Sequence, residues 1–334
     1  MHAQILAAPA PVEQSPLRFV EVPDPDPKPG PGQILLRVSA CGVCHTDLHI
    51  VERELRPPRF PIVPGHQVVG RVAGLGSNAG DWSVGERAGV FWLHRSCGVC
   101  EFCRRGEENL CPSAEYTGFH RDGGYAEYLT AEAGFALRLP DPFDDVHAAP
   151  LLCAGIIGYR SLRKADLQPG ETLGLFGYGA SAHLALQLAK HWGCRVFAFT
   201  RSTEHRKHAL SLGAEWAGGA SDPPPAPLDR AVIFAPSGAL VPAALERLRP
   251  GGTLAINAIF MSNLPEMQYP LLYGERTVRS VTNATRRDAA EFLRLAAEIP
   301  IRVTANPYPL QDANRMLQML KDAKIDGAAV LVPQ

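Results

Sequence analysis

The sequence is poor in the features that mark secreted, membrane-embedded or nucleic-acid-binding chains. Its eight cysteines in 334 residues are too sparse for a secreted disulfide scaffold, which is short and cysteine-dense. No Lys or Arg precedes Arg18, so "MHAQILAAPAPVEQSPL" lacks the positively charged start of a secretory signal. No apolar run approaches the roughly 20 residues of a membrane span. Neither sign of charge dominates: 33 Lys and Arg stand against 34 Asp and Glu. No basic block suggests nucleic acid or an anionic membrane as partner. These absences leave the expectation of a soluble cytoplasmic protein with reduced thiols, a small-molecule partner and, from its length, two domains.

Against that background four cysteines are crowded into "SCGVCEFCRRGEENLCPS". Cys97, Cys100, Cys103 and Cys111 follow one another at intervals of three, three and eight. A short loop with that spacing can wrap one tetrahedral zinc, and four thiolates close its coordination shell. Such a site stabilises a lobe and leaves no position for substrate. A redox-active or iron–sulfur cluster is the other reading that thiolates at this spacing allow.

The chain has two textures. Up to about residue 150, Pro and Gly break it into short apolar runs such as "ILLRVSA" and "HQVVGRVAGLG", which suggest strands and loops. From about Cys153 onward, strand-like and helix-like segments alternate: "TLGLFG", "ASAHLALQLAKHWG", "RVFAFT", "STEHRKHALSLG", "RAVIFAP", "ALVPAALERL", "GGTLAINA". That alternation predicts a doubly wound parallel sheet with helices on both faces. Its first strand-to-helix turn reads Gly177-x-Gly179-x-x-Ala182. Glycine allows the tight turn and the approach of a pyrophosphate, and a small third residue lets helix pack on strand. In that context the turn reads as a dinucleotide site. The second strand ends in Thr200, Arg201 and Ser202 where an NAD-binding chain usually offers a carboxylate. Hydroxyls and a guanidinium suit a 2′-phosphate, so NADP is favoured over NAD.

Taken in order, "CGVCHTDLH", "PGHQVVG", the four-cysteine lobe, "DGGYAEY", "PLLCAGIIGY" and "FGYGASAHLALQLAK" resemble the zinc-dependent alcohol dehydrogenases of the medium-chain dehydrogenase/reductase superfamily. The resemblance covers essentially the whole chain. It implies an α/β protein with a partly open, GroES-like β-barrel catalytic domain at residues 1–153 and 299–334. A Rossmann domain would occupy residues 154–298. It also implies two zinc ions per chain, the catalytic one held by Cys44, His66 and Cys153 with a fourth position open. Thr46 matches a proton-relay hydroxyl, and His49 the surface imidazole that passes the proton outward. Asp47 matches the carboxylate that orients His66, and His45 a donor to the cofactor pyrophosphate. A homodimer or homotetramer is the implied assembly.

Cys41 and Cys194 receive no function; Cys194 reads as a small buried hydrophobe. Trp92 reads equally as a wall of the substrate pocket or as ordinary packing. Three positions depart from the family pattern. Gly-His-Glu is here Gly65, His66, Gln67; Gly-Arg-Ala-Val is Gly327, Ala328, Ala329, Val330; and Ile157 replaces a common Thr. Losing both partners of an ion pair avoids an uncompensated buried charge, so the site reads as a coherent variant. The activity implied is hydride transfer between a primary alcohol, aliphatic or aromatic, and NADP or NAD. The alternatives are a zinc-independent reductase of quinones or enones, and a non-catalytic, redox-responsive zinc protein.

Overall fold

The computed structural model describes residues 1–333, which form two compact units. The first comprises residues 1–153, 284–298 and 303–333; the second comprises residues 154–283 and 299–302. Among the described residues no helix is long and apolar enough to cross a membrane.

The first unit is built on a seven-stranded sheet. Its organising element is the long strand Gln33–Gly42, antiparallel to Gln67–Leu75, to Tyr128–Glu132 and, at its end, to Ala328–Val332. Arg87–Val90 and Leu137–Arg138 extend the sheet on one side, and Ala305–Pro309 closes the other. The buried faces of these strands gather one apolar core that includes Ile34, Leu36, Val68, Val72, Tyr125 and Leu331. The chain's last stretch thus contributes structurally to the region where it starts: Ala328–Val332 pairs Val330 with Gly42.

The second unit carries six strands, all parallel. Numbered by their order along the chain, they lie as 3-2-1-4-5-6, with Thr172–Phe176 first and Thr277–Ser280 last. That is the Rossmann order. Thr172–Phe176 is buried at every residue, as a central strand covered on both faces must be. Ala180–His191 follows it as a helix, Gly193 turns out of that helix at φ +74°, and Arg195–Phe199 returns as the neighbouring strand.

The crossing between units differs from the expected switch at residue 299. The helix Arg286–Glu298 belongs to the first unit, because buried Glu108 accepts hydrogen bonds from the Arg286 backbone N–H at 3.0 Å and its guanidinium at 3.1 Å. That guanidinium also lies over the Phe135 ring, 4.4 Å from its centroid. Residues 299–302 rejoin the second unit, where Gln187 and the Arg302 backbone exchange hydrogen bonds of 2.7 and 3.0 Å.

Candidate metal and cofactor sites

Among the described residues, two groups of side chains have the donor atoms and proximity to hold a metal ion. In each, the candidate atoms all lie within 4.8 Å of one another. The first is Cys97, Cys100, Cys103 and Cys111; the second is Cys44, His66 and Cys153. All eight cysteines are free thiols.

The four-cysteine group forms around a short helix, Glu101–Arg104, and the 3-10 turn Glu108–Leu110. Backbone amides are turned toward sulfur: Cys97 N–H donates to Cys111 Sγ at 3.4 Å, and Cys100 N–H to Cys97 Sγ at 3.3 Å. Backbone N–H groups of Val99 and Cys100 pull the Cys97 thiol down to about 6. A loop that stabilises thiolates in this way fits a four-thiolate zinc site.

The second group is assembled from distant parts of the first unit. Cys44 caps the short helix His45–Val51, where its backbone N–H donates to Asp47 Oδ2 at 3.0 Å. His66 stands directly before strand Gln67–Leu75, after Gly65 at φ +97°. Cys153 ends the 3-10 turn Ala149–Leu152. His66 Nδ1 is 3.1 Å from Asp47 Oδ1 and its Nε2 is 3.4 Å from Cys153 Sγ. Burial lowers the affinity of His66 for a proton, yet the Asp47 carboxylate and the Cys44 sulfur outweigh that and push its pKa up to about 10. The hydrogen bond from Cys153 holds the Cys44 thiol well down despite burial, with His66 assisting. Its partner Cys153 is correspondingly held up. Two sulfurs and one imidazole nitrogen converging in a buried site, with the other imidazole nitrogen fixed by a carboxylate, fit a three-ligand zinc centre.

Around this centre, Thr46 Oγ1 lies 3.7 Å from Cys44 Sγ. His49 corrects the sequence reading: its imidazole is buried, not at the surface, and Nδ1 is hydrogen-bonded to Glu54. It is Glu54, about one-third exposed, that reaches solvent from this pair. Burial, opposed by the Cys44 charge, lowers the His45 pKa, and its ring lies 6.3 Å from that of His49. Trp92 meets the His66 ring edge-on at 5.0 Å and stacks on Tyr116 at 5.0 Å and 10°.

The chain's comparison with known proteins bears on both groups. Residues 30–141 match the alcohol dehydrogenase GroES-like domain and residues 182–298 the zinc-binding dehydrogenase domain. The chain is 48% identical to a probable alcohol dehydrogenase, AdhA, of Mycobacterium tuberculosis (strain CDC 1551 / Oshkosh), covering 99% of this chain and 97% of that protein. It belongs to the zinc-type medium-chain dehydrogenase/reductase family. Within that family it is 36% identical to an alcohol dehydrogenase of Geobacillus stearothermophilus over 90% of this chain and 91% of the relative. Among solved structures, the alcohol dehydrogenase of the hyperthermophilic archaeon Aeropyrum pernix aligns with TM-score 0.89 at 29% identity, covering all of both chains. A cobalt- and zinc-bound alcohol dehydrogenase of Pyrobaculum aerophilum aligns with TM-score 0.89 at 26% identity, covering 100% of this chain and 99% of that one. The chain is accordingly an oxidoreductase of the alcohol dehydrogenase class.

In this dehydrogenase the glycine turn lies between Thr172–Phe176 and Ala180–His191. Gly177 has φ +86°, and a Cβ there would lie 2.7 Å from Ala235. Gly179 caps the helix, and a Cβ on it would project into open space. Ala182 is fully buried in the helix. A bare backbone at an open helix start fits the approach of a pyrophosphate. At the end of the second strand, Thr200 is buried and Arg201 exposed. Ser202 is already engaged: its hydroxyl accepts from His205 N–H at 3.2 Å and donates to Glu204 at 2.9 Å.

The three departures from the family pattern occupy ordinary places. Gln67 is buried opposite Gly42, and Val330 pairs with the other edge of Gly42. Gln67 and Ala328–Val332 therefore flank the same strand end, where neither Gln67 nor Ala328 brings a charge. Ile157 is half-buried on the helix Ala154–Lys164. Two neighbours escaped the sequence reading: Glu54, five residues beyond His49, and Tyr125, whose hydroxyl reaches Asp47 Oδ2 at 3.2 Å. Their own motifs contain no signal for these contacts.

Proposed function

We propose that the chain is a zinc-dependent alcohol dehydrogenase and aldehyde reductase, moving hydride between a primary alcohol and NADP in preference to NAD. The observation that carries this reading is the convergence of Cys44, His66 and Cys153 on one buried point, with Asp47 behind His66. Zinc held there would supply Lewis acidity to an alcohol or carbonyl oxygen, and a dinucleotide bound at the glycine turn would supply the hydride acceptor or donor.

The chain's own residues handle the proton and the geometry. Asp47 fixes the His66 tautomer with Nδ1 as donor, leaving Nε2 to ligate. Thr46, beside Cys44 Sγ, would accept the hydroxyl proton of the alcohol while releasing its own outward, and the hydrogen-bonded pair of His49 and partly exposed Glu54 would carry a proton on to water. Trp92 and Tyr116 supply an aromatic wall next to His66 that accepts aliphatic and aromatic substrates alike. His45, Gly177, Gly179 and Ala182 serve the pyrophosphate. Because Ser202 is committed as a helix cap, the preference for NADP rests on Arg201 and the Thr200 hydroxyl. The four-cysteine group holds the structural zinc, making two per chain.

The cytoplasm, with its reduced thiols, is the proposed location. A homo-oligomer is the proposed assembly: Ile259, Phe260, Leu264, Met267, Tyr269 and Tyr273 are all exposed within one stretch of the second unit, an apolar density that suits a surface covered by another copy.

Elemental analysis of chelator-free protein, paired with titration of NADP and NAD and with alcohol and aldehyde turnover, tests this reading. Two zincs per chain, tighter binding of NADP and turnover lost with the Cys44→Ser zinc support it. One zinc together with turnover indifferent to Cys44→Ser would move the chain to the zinc-independent reductases.

A further inference from the structure

We propose that Tyr125 is a positioning residue for the metal centre, holding Asp47 so that Asp47 can hold His66. The inference rests on the reading of Cys44, His66 and Cys153 as zinc ligands.

Asp47 is fully buried, and no Lys or Arg pairs with it among the described residues. A carboxylate in that position must be satisfied by hydrogen bonds. It has about four lone-pair directions, and four donors meet it. Oδ1 accepts from Gly65 N–H at 3.1 Å and faces His66 Nδ1 at 3.1 Å. Oδ2 accepts from Cys44 N–H at 3.0 Å and from the Tyr125 hydroxyl at 3.2 Å. Occupation of Oδ2 by these two donors fixes the rotation of the carboxylate, which keeps Oδ1 aimed at the imidazole.

The ring of Tyr125 acts on the same loop. A Cβ at Gly65 would lie 2.4 Å from that ring and 2.9 Å from Cys41 Sγ, so the residue before His66 is glycine both for its positive φ and for this contact. The rest of the "DGGY" stretch lies against the chain leading to His66. Asp122 Oδ1 accepts from Val63 N–H at 3.0 Å, Gly123 N–H donates to Val63 O at 2.7 Å, Gly124 N–H to Gly65 O at 2.9 Å, and Tyr125 N–H to Pro64 O at 3.0 Å. This approach leaves no room for side chains: a Cβ on Gly123 would be 2.1 Å from Gly65 O, and one on Gly124 would be 2.3 Å from Val68 Cγ2. Four consecutive residues thus grip Val63–Gly65, and the last of them also grips the carboxylate behind the ligand. Tyr125 touches none of the proposed ligand atoms; its action passes through Asp47.

Tyr125→Phe keeps the ring and removes only the hydroxyl. The measurement is zinc release from the whole protein to an excess of a chromogenic chelator, resolved into two phases, with the four-cysteine zinc as internal reference. The expected result is release from the His66 site accelerated about 10-fold, the lower end of what loss of such outer partners does to metal affinity. The four-cysteine phase stays at its wild-type rate, and the melting temperature falls by only a few degrees, as loss of one hydrogen bond to a buried carboxylate implies. In an Asp47→Asn background the same substitution is expected to add nothing, since its route is gone. Release at the wild-type rate, or both phases accelerated in step with a lower melting temperature, would overturn the inference and make Tyr125 a packing residue. A wild-type protein with only the four-cysteine zinc would overturn the reading of the ligands itself, a result visible before any variant is made.

Discussion

The two cysteine-bearing sites are opposites in construction. Cys97, Cys100, Cys103 and Cys111 come from fifteen consecutive residues, lie partly exposed, and are served by their own backbone amides. Cys44, His66 and Cys153 come from three separated segments, are served by a buried carboxylate, and depend on strands Gln33–Gly42 and Gln67–Leu75 being in register. A local site stabilises the lobe built on its own loop and leaves no coordination position open. An assembled site can leave a coordination position unfilled because the fold, not the ligands, holds its parts together.

The comparison is broken most sharply by Cys44→Ser. We expect zinc to fall from two to one per chain and turnover to drop by more than about 10³-fold, with the melting temperature little changed; elemental analysis, initial rates and calorimetry check the three parts. If the melting temperature collapses instead, the assembled site is structural after all. The mirror experiment is Cys103→Ser, which should also remove one zinc. Here we expect a melting temperature lower by about 10 °C and initial rates at low temperature within about threefold of the parent.

Thr46→Val tests whether the assembled site moves protons as well as binding metal. A loss of about 10²-fold in alcohol oxidation is expected with zinc content unchanged. His49→Gln should likewise slow alcohol oxidation without changing zinc content, checked by initial rates and elemental analysis.

The smallest effect concerns the strand joining the two sites. Leu93–Arg95 runs from Trp92, against His66, toward Cys97. Its His94 is buried with Nδ1 unpartnered, and burial lowers its pKa to about 4. A neutral imidazole in the fold whose unfolded pKa is about 6.5 means that the unfolded chain binds the extra proton between these values. Stability is therefore full above about pH 6.5 and falls as pH drops toward 4. The contribution lost between pH 7 and pH 5 is about 2 kcal/mol. Denaturant titrations at those two pH values should show it, and His94→Leu should flatten it; an unchanged slope in the variant would assign the acid limb to other groups.

Legibility in the sequence followed the range of the interactions. Four strands of the Rossmann unit were readable, because a buried parallel strand such as Thr172–Phe176 is apolar throughout and Gly177 punctuates its end, while the short edge-side strands Trp216–Gly218 and Thr277–Ser280 carry no such run and were not read. The spacing around Cys97 was readable because its geometry is set within one loop. The trio Cys44, His66 and Cys153 came only through resemblance to a family, since no periodicity links positions so far apart. His49 was misplaced at the surface because burial is a property of neighbours: its imidazole turned inward and Glu54 became the outer partner. The unit boundary near residue 299 was misjudged for a similar reason, as Glu108 captures the start of helix Arg286–Glu298 from across the chain.

By itself, then, the sequence determined the main alternation of strands and helices after Cys153, the glycine turn that opens it, and where a self-contained thiol loop would form, because these depend on residues a few positions apart. Only the tertiary structure decided that Asp47 would be ringed by Cys44, Gly65, His66 and Tyr125. A buried charge draws its donors from whatever the sheet register brings within about 3 Å, and that register is fixed by the packing of the whole unit.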